Sequence, residues 1–340
     1  MTTILQRAQG ALIGLAIGDA LGMPTQLLSR QQVAELFPTL NDFLPGPPEN
    51  EISAGIPAGS VTDDTQQALI VAQLLIEGEG HVDSAEFVRR LLAWAVEAET
   101  NGTEQLGPSS RRALEAIQAG QPIEEAGRHG NTNGSAMRIA PVGIAISSEP
   151  LSRLIDLVEE VCLPTHYTGL GIAGAAAAAA AISAGIENAS FPEALQITLR
   201  AAEMGQERGY YSAGASVAAR IRWAVELVQE LDEARAQDAI SDLIGTGVAI
   251  QEAVPAAFAI AARWPNDPWQ ACLVAARLGG DSDTIGAIVG AILGACRGVD
   301  AFPTWAVAQI ELVNGLDLLG LGERLLELRR AGPHIQTSPA

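Results

Sequence analysis

The sequence predicts an all-α protein. Only 4% of its 340 residues are aromatic while 48% are hydrophobic, and 35 are glycine, a composition that favours close-packed helices over sheets. Apolar residues recur at helical spacing, and no long run alternates between apolar and polar residues as a half-buried strand does. Clusters of Pro and Gly separate the helical segments. No motif recurs at a spacing of about 20–50 residues, which argues against a solenoid.

The first predicted helix spans residues 4–22 and carries a stripe of glycines. Four of them recur every four residues: Gly10, Gly14, Gly18 and Gly22. Because each glycine weakens a helix by up to about 1 kcal/mol, the stripe indicates that this helix lies against a neighbour or that its backbone approaches a ligand. Asp19 within it is either a helix-terminal carboxylate or part of a site.

The rest of the chain divides into helices and two notable loops. The Pro- and Gly-rich stretch 38–60 predicts a long loop, which is often a functional lid. The small-residue stretch 129–138 is either a plain connection or an anion cradle built from the N–H groups of Gly134 and Ser135 with Arg138. Further helices are predicted after residue 62 and at 84–99, 109–119, 151–162, from 166 to 185, and at 192–203, 212–230, 248–262, 268–277, 284–296 and 304–314.

Charge and side-chain inventory exclude several classes of function. The formal net charge of −20 argues against nucleic acid and against an anionic membrane surface as partners. Every basic residue is Arg, so a Walker-type phosphate lysine and a Schiff-base lysine are excluded. Three cysteines lie in apolar segments without paired spacing, which predicts reduced core thiols: Cys162, Cys272 and Cys296.

Neither a signal peptide nor a convincing membrane span is predicted. The early apolar run contains Asp19, and the long apolar run after His166 is mostly alanine, which is only weakly apolar. We therefore expect a cytoplasmic monomer with one domain at residues 1–331 and a flexible tail at 332–340.

Two clusters of acids and hydroxyls, some 220 residues apart, stand out from apolar surroundings. The first contains Asp63 and Asp64, and the second contains Asp281, Asp283 and Thr284. Each alone is typical of a helix N-terminus. If the two helix starts meet, four carboxylates share one pocket, which is repulsive unless hard cations lie between them. Oxygen-only ligands suit Mg²⁺ or Mn²⁺ and disfavour Zn²⁺.

Other interpretations of the second cluster fit less well. An EF-hand loop starting at Asp281 needs Glu at its twelfth position, where Ile292 stands. A phosphatase-type D-x-D nucleophile needs a preceding apolar strand, and Gly279 and Gly280 stand there instead. A solvated acidic turn remains open, although the flanking segments have the composition of a core.

Five motifs in this order resemble those of the ADP-ribosylglycohydrolases, the family that includes the dinitrogenase-reductase-activating glycohydrolase. They are residues 10–22, 62–65, 133–141, 165–166 and 279–284. The resemblance covers most of the chain. It implies a compact all-α orthogonal multi-helix bundle with two divalent cations, Mg²⁺ or Mn²⁺, and ADP-ribose or an ADP-ribosylated substrate as partner.

The resemblance also implies roles for individual residues. The implied metal ligands are Thr62, Asp63, Asp64, Asp281, Asp283 and Thr284. The implied substrate-binding residues are Asn133, Gly134, Ser135, Ala136, Met137, His166, Gln26 and Gln105, with Tyr210 or Tyr211 stacking near the adenine or ribose. The implied reaction is hydrolysis of an N- or O-glycosidic bond at the anomeric carbon of ADP-ribose. The metals would orient the ribose hydroxyls and polarise a water, and the catalytic carboxylates Asp63, Asp64 and Asp283 would stabilise the oxocarbenium charge.

Two positions depart from the family pattern. Gln26 stands where the family usually has Glu, and Gln105 stands where it usually has Asp. Glutamine keeps an acceptor oxygen but loses the charge and the capacity to act as a base. Three hypotheses therefore stay open: a hydrolase with altered activity, a protein that binds ADP-ribose or a related nucleotide without turnover, and a structural member that keeps only the fold.

Overall fold

The computed structural model describes residues 2–100 and 106–331, and these residues form helices without a β-strand. The predicted all-α fold is therefore confirmed. The α-helices are α1 Ile4–Gly22, α2 Arg30–Leu36, α3 Asp63–Glu77, α4 Ser84–Thr100, α5 Pro108–Gln118, α6 Ile123–Ala126, α7 Gly134–Met137, α8 Ala140–Ala145, α9 Leu151–Cys162, α10 Gly169–Ile186, α11 Phe191–Gln206, α12 Val217–Gln229, α13 Glu233–Ala239, α14 Ile250–Arg263, α15 Pro268–Leu278, α16 Ser282–Arg297, α17 Thr304–Asn314 and α18 Leu318–Ala331.

The glycine stripe of α1 packs directly on the backbone of α16. A Cβ atom added to Gly14 would lie 2.0 Å from the carbonyl oxygen of Gly290, and one added to Gly18 would lie 1.9 Å from that of Gly286. Any side chain here would force the two helices apart, since such distances are far below van der Waals contact. The stripe thus marks close contact with a neighbouring helix, and this contact carries Asp19 to the start of α16.

The alanine-rich helix α10 lies in the centre of the core. It is long and apolar enough to cross a membrane, and all of it is buried among the other helices. Its small side chains let several helices approach it closely, so that it serves as a scaffold for the loops on either side.

The structure refines several predicted boundaries. The helix predicted at 212–230 begins only at Val217, and six helices were not predicted: α2, α6, α7, α8, α13 and α18. The predicted long loop is confirmed, because residues 37–62 contain no helix. Asn50, which is buried, ties this loop to the segment after α1 by donating from Nδ2 to the backbone oxygen of Gln26 at 2.8 Å. Its action as a lid stays a prediction.

Candidate functional site

Asp19 holds the start of α3 from a different helix. Its fully buried carboxylate accepts hydrogen bonds from the backbone N–H of Thr62 at 3.0 Å and of Thr65 at 3.1 Å. The hydroxyls of the same two threonines donate to it at 2.8 and 2.5 Å. Asp19 therefore satisfies the free N–H groups at the α3 N-terminus, as a capping side chain does, and its position beside α16 joins the two acidic clusters.

The first acidic cluster occupies the first turn of α3. Asp63 accepts a hydrogen bond from Nε2 of Gln67 at 3.1 Å. Asp64 is 1% exposed, and the hydroxyl of Thr62 lies 3.1 Å from its Oδ2. The other oxygen of Asp64, Oδ1, is buried and has no hydrogen-bond partner among residues 2–100 and 106–331. A buried carboxylate oxygen without a partner is costly, so this atom points to a ligand.

The second cluster starts α16 after a glycine turn. Gly279 and Gly280 adopt φ values of +67° and +65°, which favour glycine because they avoid a Cβ clash. The turn aims Asp281 towards the loop before α7, where it accepts a hydrogen bond from Nδ2 of Asn133. Asp283 is 3% exposed and accepts a hydrogen bond from the N–H of Thr284 at 2.9 Å.

Burial raises the pKa of every carboxylate in this group, and repulsion between carboxylates raises it further for three of them. Desolvation is the largest cause, and it raises the pKa of Asp19 and of Asp281 to about 6. The pKa values of Asp63, Asp64 and Asp283 rise well above the ordinary value, because the neighbouring carboxylates add to desolvation. The group therefore takes up protons or cations readily at neutral pH.

The donor set suits hard cations by its chemistry. Four carboxylates and two threonine hydroxyls supply only oxygen atoms, the preference of Mg²⁺ and Mn²⁺. The partnerless oxygen of Asp64 and the raised pKa values both indicate missing positive charge. The described residues contain no ready-formed metal site of three or more His, Cys, Asp or Glu side chains, so the carboxylates are gathered without being closed around one point.

A cleft of about 240 Å³ opens above the acids. Its wall includes Asp63, Asp281, Asp283 and Thr284 of the acidic clusters together with Gln26, Leu27, Ile52, Leu106, Gly107, Pro108, Ser110, Arg111, Thr132, Asn133, Gly134, Met137 and Val248. Gln26 thus lies in the wall of the same cleft as Asp63 and Asp283. Gln105 lies outside the described residues. Tyr210 and Tyr211 are not in this wall; Tyr210 packs edge-on against Tyr167 at 5.7 Å, and Tyr211 is exposed.

Three of the residues predicted to bind substrate lie behind the cleft wall: Ser135, Ala136 and His166. Ser135 donates to the carbonyl oxygen of Gly171 at 2.9 Å, and Ala136 is buried beside it. His166 is fully buried, and a Cβ added to Gly134 would lie 2.9 Å from its Cε1. Burial lowers the pKa of His166 well below the ordinary value, so its imidazole is neutral. These side chains support the loop from behind.

Arg138 corrects one expectation from the sequence. In one of the two interpretations of the stretch 129–138 it helped to cradle an anion, but it is fully buried and absent from the cleft wall. Its guanidinium donates instead to Oε1 of Gln67 at 3.0 Å and to the hydroxyl of Thr165 at 2.6 Å. The expectation is wrong because the turn of α7 directs this side chain into the core.

A segment that the sequence analysis passed over joins the two sides of the site. The carbonyl oxygen of Thr246 accepts from the N–H of Asp281 at 2.7 Å, and that of Val248 accepts from the N–H of Asn133 at 3.0 Å. Gly245, with φ of +90°, allows the sharp turn at the start of this strap of residues 245–249. The pair Gly245 and Gly247 indicates such a turn in the sequence. The turn was overlooked because a helix was expected to begin at residue 248.

Comparison with known proteins gives one consistent result. The sequence model of the family described as ADP-ribosylglycohydrolase matches residues 1–334. The chain is 36% identical to the uncharacterized protein YegU of Escherichia coli (strain K12), over 96% of this chain and 98% of that protein. It is 27% identical to the ADP-ribosylhydrolase ARH3 of Bos taurus, over 88% of this chain and 87% of the relative.

Two further similarities agree. The chain is 23% identical to the ADP-ribosyl-[dinitrogen reductase] glycohydrolase of Rhodospirillum rubrum, over 91% of this chain and 92% of the relative. A solved structure titled "ADP-ribosylglycohydrolase-related protein complex" superposes with a TM-score of 0.70 at 27% identity, covering 96% of this chain and 98% of the other. The chain therefore belongs to the ADP-ribosylglycohydrolase family.

Proposed function

We propose that this protein is a metal-dependent hydrolase of the glycosidic bond at the anomeric carbon of ADP-ribose. The observation that carries the proposal is the meeting of two helix N-termini, each with two buried carboxylates, at the floor of a cleft. Relatives named as ADP-ribosylhydrolases and glycohydrolases support the substrate class. We extend the proposal to a cytoplasmic monomer with one domain over residues 1–331.

Two divalent cations, Mg²⁺ or Mn²⁺, would be held by the two acidic clusters. The ligands would be Thr62, Asp63, Asp64, Asp281, Asp283 and Thr284. When bound, such cations neutralise the carboxylates and lower the pKa of a coordinated water. Asp19 prepares the hydroxyl oxygen of Thr62 to bind a cation. This hydroxyl donates its proton to Asp19 at 2.8 Å, which leaves the oxygen lone pairs free for the cation.

The protein's own groups would serve the sugar and its leaving group. Asp63 and Asp283 face the cleft, so their negative charge is placed to stabilise a developing oxocarbenium ion. Asn133 steadies Asp281 from the opposite wall. Leu27 and Ile52 form an apolar part of the wall, which helps to exclude water from the reacting centre.

Gln26 is the observation that favours a second candidate function. It lies in the cleft wall, 5% exposed, with Nε2 3.3 Å from the carbonyl oxygen of Met23. Its neutral amide offers an acceptor oxygen but cannot take a proton at neutral pH. The second candidate is therefore a protein that binds ADP-ribose or a related nucleotide without turning it over.

Calorimetric titration with ADP-ribose, in Mn²⁺ or in a chelator, tests binding. The hydrolase and the binding protein both bind ADP-ribose, whereas a purely structural protein binds it in neither condition. Release of ADP-ribose from ADP-ribosyl-arginine and ADP-ribosyl-serine substrates then separates the first two. Asp64→Asn should abolish Mn²⁺-dependent release, and the exposed Asp242→Asn makes the same charge change away from the site and should leave it intact. Equal activity in both variants would refute the metal assignment.

A further inference from the structure

A chain of hydrogen bonds runs beneath the cleft, and its first half ends on an acid. Arg138 donates from Nη1 to Oε1 of Gln67 at 3.0 Å, and Gln67 donates from Nε2 to Oδ2 of Asp63 at 3.1 Å. Gln67 and Arg138 are both fully buried. The amide of Gln67 has one acceptor and one donor side, so Arg138 fixes which of its ends faces Asp63.

The second half of the chain ends on the opposite wall. Arg138 donates from Nη2 to Oγ1 of Thr165 at 2.6 Å. This oxygen lies 2.8 Å from Nδ1 of His166, and Nε2 of the same imidazole lies 3.0 Å from Oγ1 of Thr132. Thr132 lines the cleft. One buried guanidinium thus connects a carboxylate on one side of the cleft with a hydroxyl on the other.

One set of bond directions is consistent with the fixed donor at the head of the chain and with a neutral imidazole. Because Thr165 accepts from Arg138, its own O–H is free to donate to Nδ1 of the neutral His166. The imidazole proton then resides on Nε2 and is donated to Thr132. This leaves the O–H of Thr132 available as a donor to an acceptor oxygen in the cleft, such as a ribose or phosphate oxygen.

No carboxylate among the described residues forms a direct ion pair with Arg138. Its contacts among the described residues are Gln67, Thr165, the carbonyl oxygen of Val161 and the ring of Phe87, whose centroid lies 4.9 Å away. All of these are neutral. A buried cation with neutral partners is costly, and the acids beyond Gln67 are the charge that offsets it.

We propose that Arg138 is a positioning residue for both walls of the cleft. Through Gln67 it fixes the carboxylate of Asp63 for a divalent cation, and through the buried histidine it presents the hydroxyl of Thr132 to the ligand. This inference rests on the proposed function. It assigns the Gln67 side of the hydrogen-bond chain, the metal arm, to the cation, and the His166 side, the ligand arm, to ADP-ribose. Its consequence is that the two arms can be separated by mutation.

The test uses one variant for each arm of the full-length protein. Gln67→Met removes the link to Asp63, and Thr165→Val removes the link to His166. Mn²⁺ affinity is measured from the electron paramagnetic resonance of free Mn²⁺, and ADP-ribose affinity is measured by calorimetry at saturating Mn²⁺. Thr198→Val is the matched control, because Thr198 is equally buried and, within the described part of the chain, its hydroxyl bonds only to the carbonyl oxygen of Ala177 at 3.5 Å.

The expected result is a split between the two ligands. Gln67→Met should weaken Mn²⁺ binding about tenfold, as the loss of an outer-shell partner does, and should change ADP-ribose binding by less than about twofold. Thr165→Val should weaken ADP-ribose binding about fivefold, the value of one hydrogen bond, with Mn²⁺ affinity unchanged. Arg138→Met should weaken both, and adding it to Gln67→Met should cause no further loss of Mn²⁺ affinity.

Several outcomes would overturn the inference. If Gln67→Met and Thr165→Val each weaken the binding of both ligands equally, or the binding of neither, Arg138 has only a structural role. The single-arm variants carry this test even if Arg138→Met fails to fold. Wild-type protein that binds no Mn²⁺ would refute the proposed function and this inference together, whereas normal wild-type binding without the split refutes the inference alone.

Discussion

Replacing Asp281 by asparagine should stabilise the metal-free protein at neutral pH. Burial raises the pKa of Asp281 from its ordinary 3.8 to about 6, so the folded protein disfavours the ionised form. One pKa unit corresponds to about 1.4 kcal/mol, and ionised Asp281 therefore costs the fold about 3 kcal/mol. An asparagine carries no charge, and its oxygen can still accept the hydrogen bond from Asn133.

The pH dependence of this gain has a definite sign. A carboxyl whose pKa is raised on folding destabilises the native state only where it ionises, so the cost is absent below about pH 4, grows between about 4 and 6, and is complete above 6. Asp281→Asn should therefore gain about 3 kcal/mol at neutral pH and nothing near pH 4. The measurement is the free energy of unfolding in urea, with a chelator present, at both pH values.

Divalent cation should reduce the effect. The variant lacks one anionic ligand, so its Mn²⁺ affinity should fall by more than about tenfold, since even outer-shell losses cost that much. A tenfold loss of affinity is worth about 1.4 kcal/mol at saturation, so at an Mn²⁺ concentration that saturates the wild type the stability advantage of the variant should shrink by about that amount or more. Asp242→Asn, which makes the same charge change on the surface, should show neither effect. A variant that is less stable than wild type in chelator at neutral pH would refute the reasoning.

Three further predictions follow from the structure. Gly18→Ala should destabilise the protein by about 3 kcal/mol or more, because its Cβ would lie 1.9 Å from the carbonyl oxygen of Gly286; Gly107→Ala, with open space around it, is the control in the same urea titration. Mn²⁺ at 100 times its Kd should add about 2.7 kcal/mol of stability, measurable as a rise in Tm that a chelator removes. Gln26→Glu combined with Gln105→Asp should raise the release of ADP-ribose from ADP-ribosylated substrates, and an unchanged rate would contradict the role given to these two positions.

The parts of the fold that the sequence predicted are those with a strong local signal. The stripe of α1 predicted a close helix contact because glycine has few other reasons to recur every four residues. The partner helix could not be identified in that way, because α16 and several other segments also contain small residues. Helix α18 was missed because two glycines, Gly320 and Gly322, weaken its helical signal, while its burial against α1 offsets that weakness.

The candidate site was predictable where acids stand in apolar segments of the sequence. Acids in apolar segments require compensation wherever they lie, so the sequence indicated that Asp63 and Asp283 would share one pocket if their two helix starts meet. The strap at residues 245–249 could not, because it contributes through backbone oxygens at Thr246 and Val248. Backbone contacts of this kind depend on the path of the chain and leave almost no trace in residue type.

Arg138 is a residue whose position the sequence left open. Arginine is almost never fully buried unless it is paired, and the sequence left open whether Arg138 belongs to a plain connection or to an anion cradle. The structure places it behind the acids instead, with the neutral Gln67 between the guanidinium and Asp63. The negative cluster supplies the compensation at a distance, which allows the arginine to use its hydrogen bonds for orientation rather than for an ion pair. The acids that need cations therefore also stabilise the buried charge of Arg138. The position of Arg138 follows from this cluster and could not be deduced from the motif that contains the arginine.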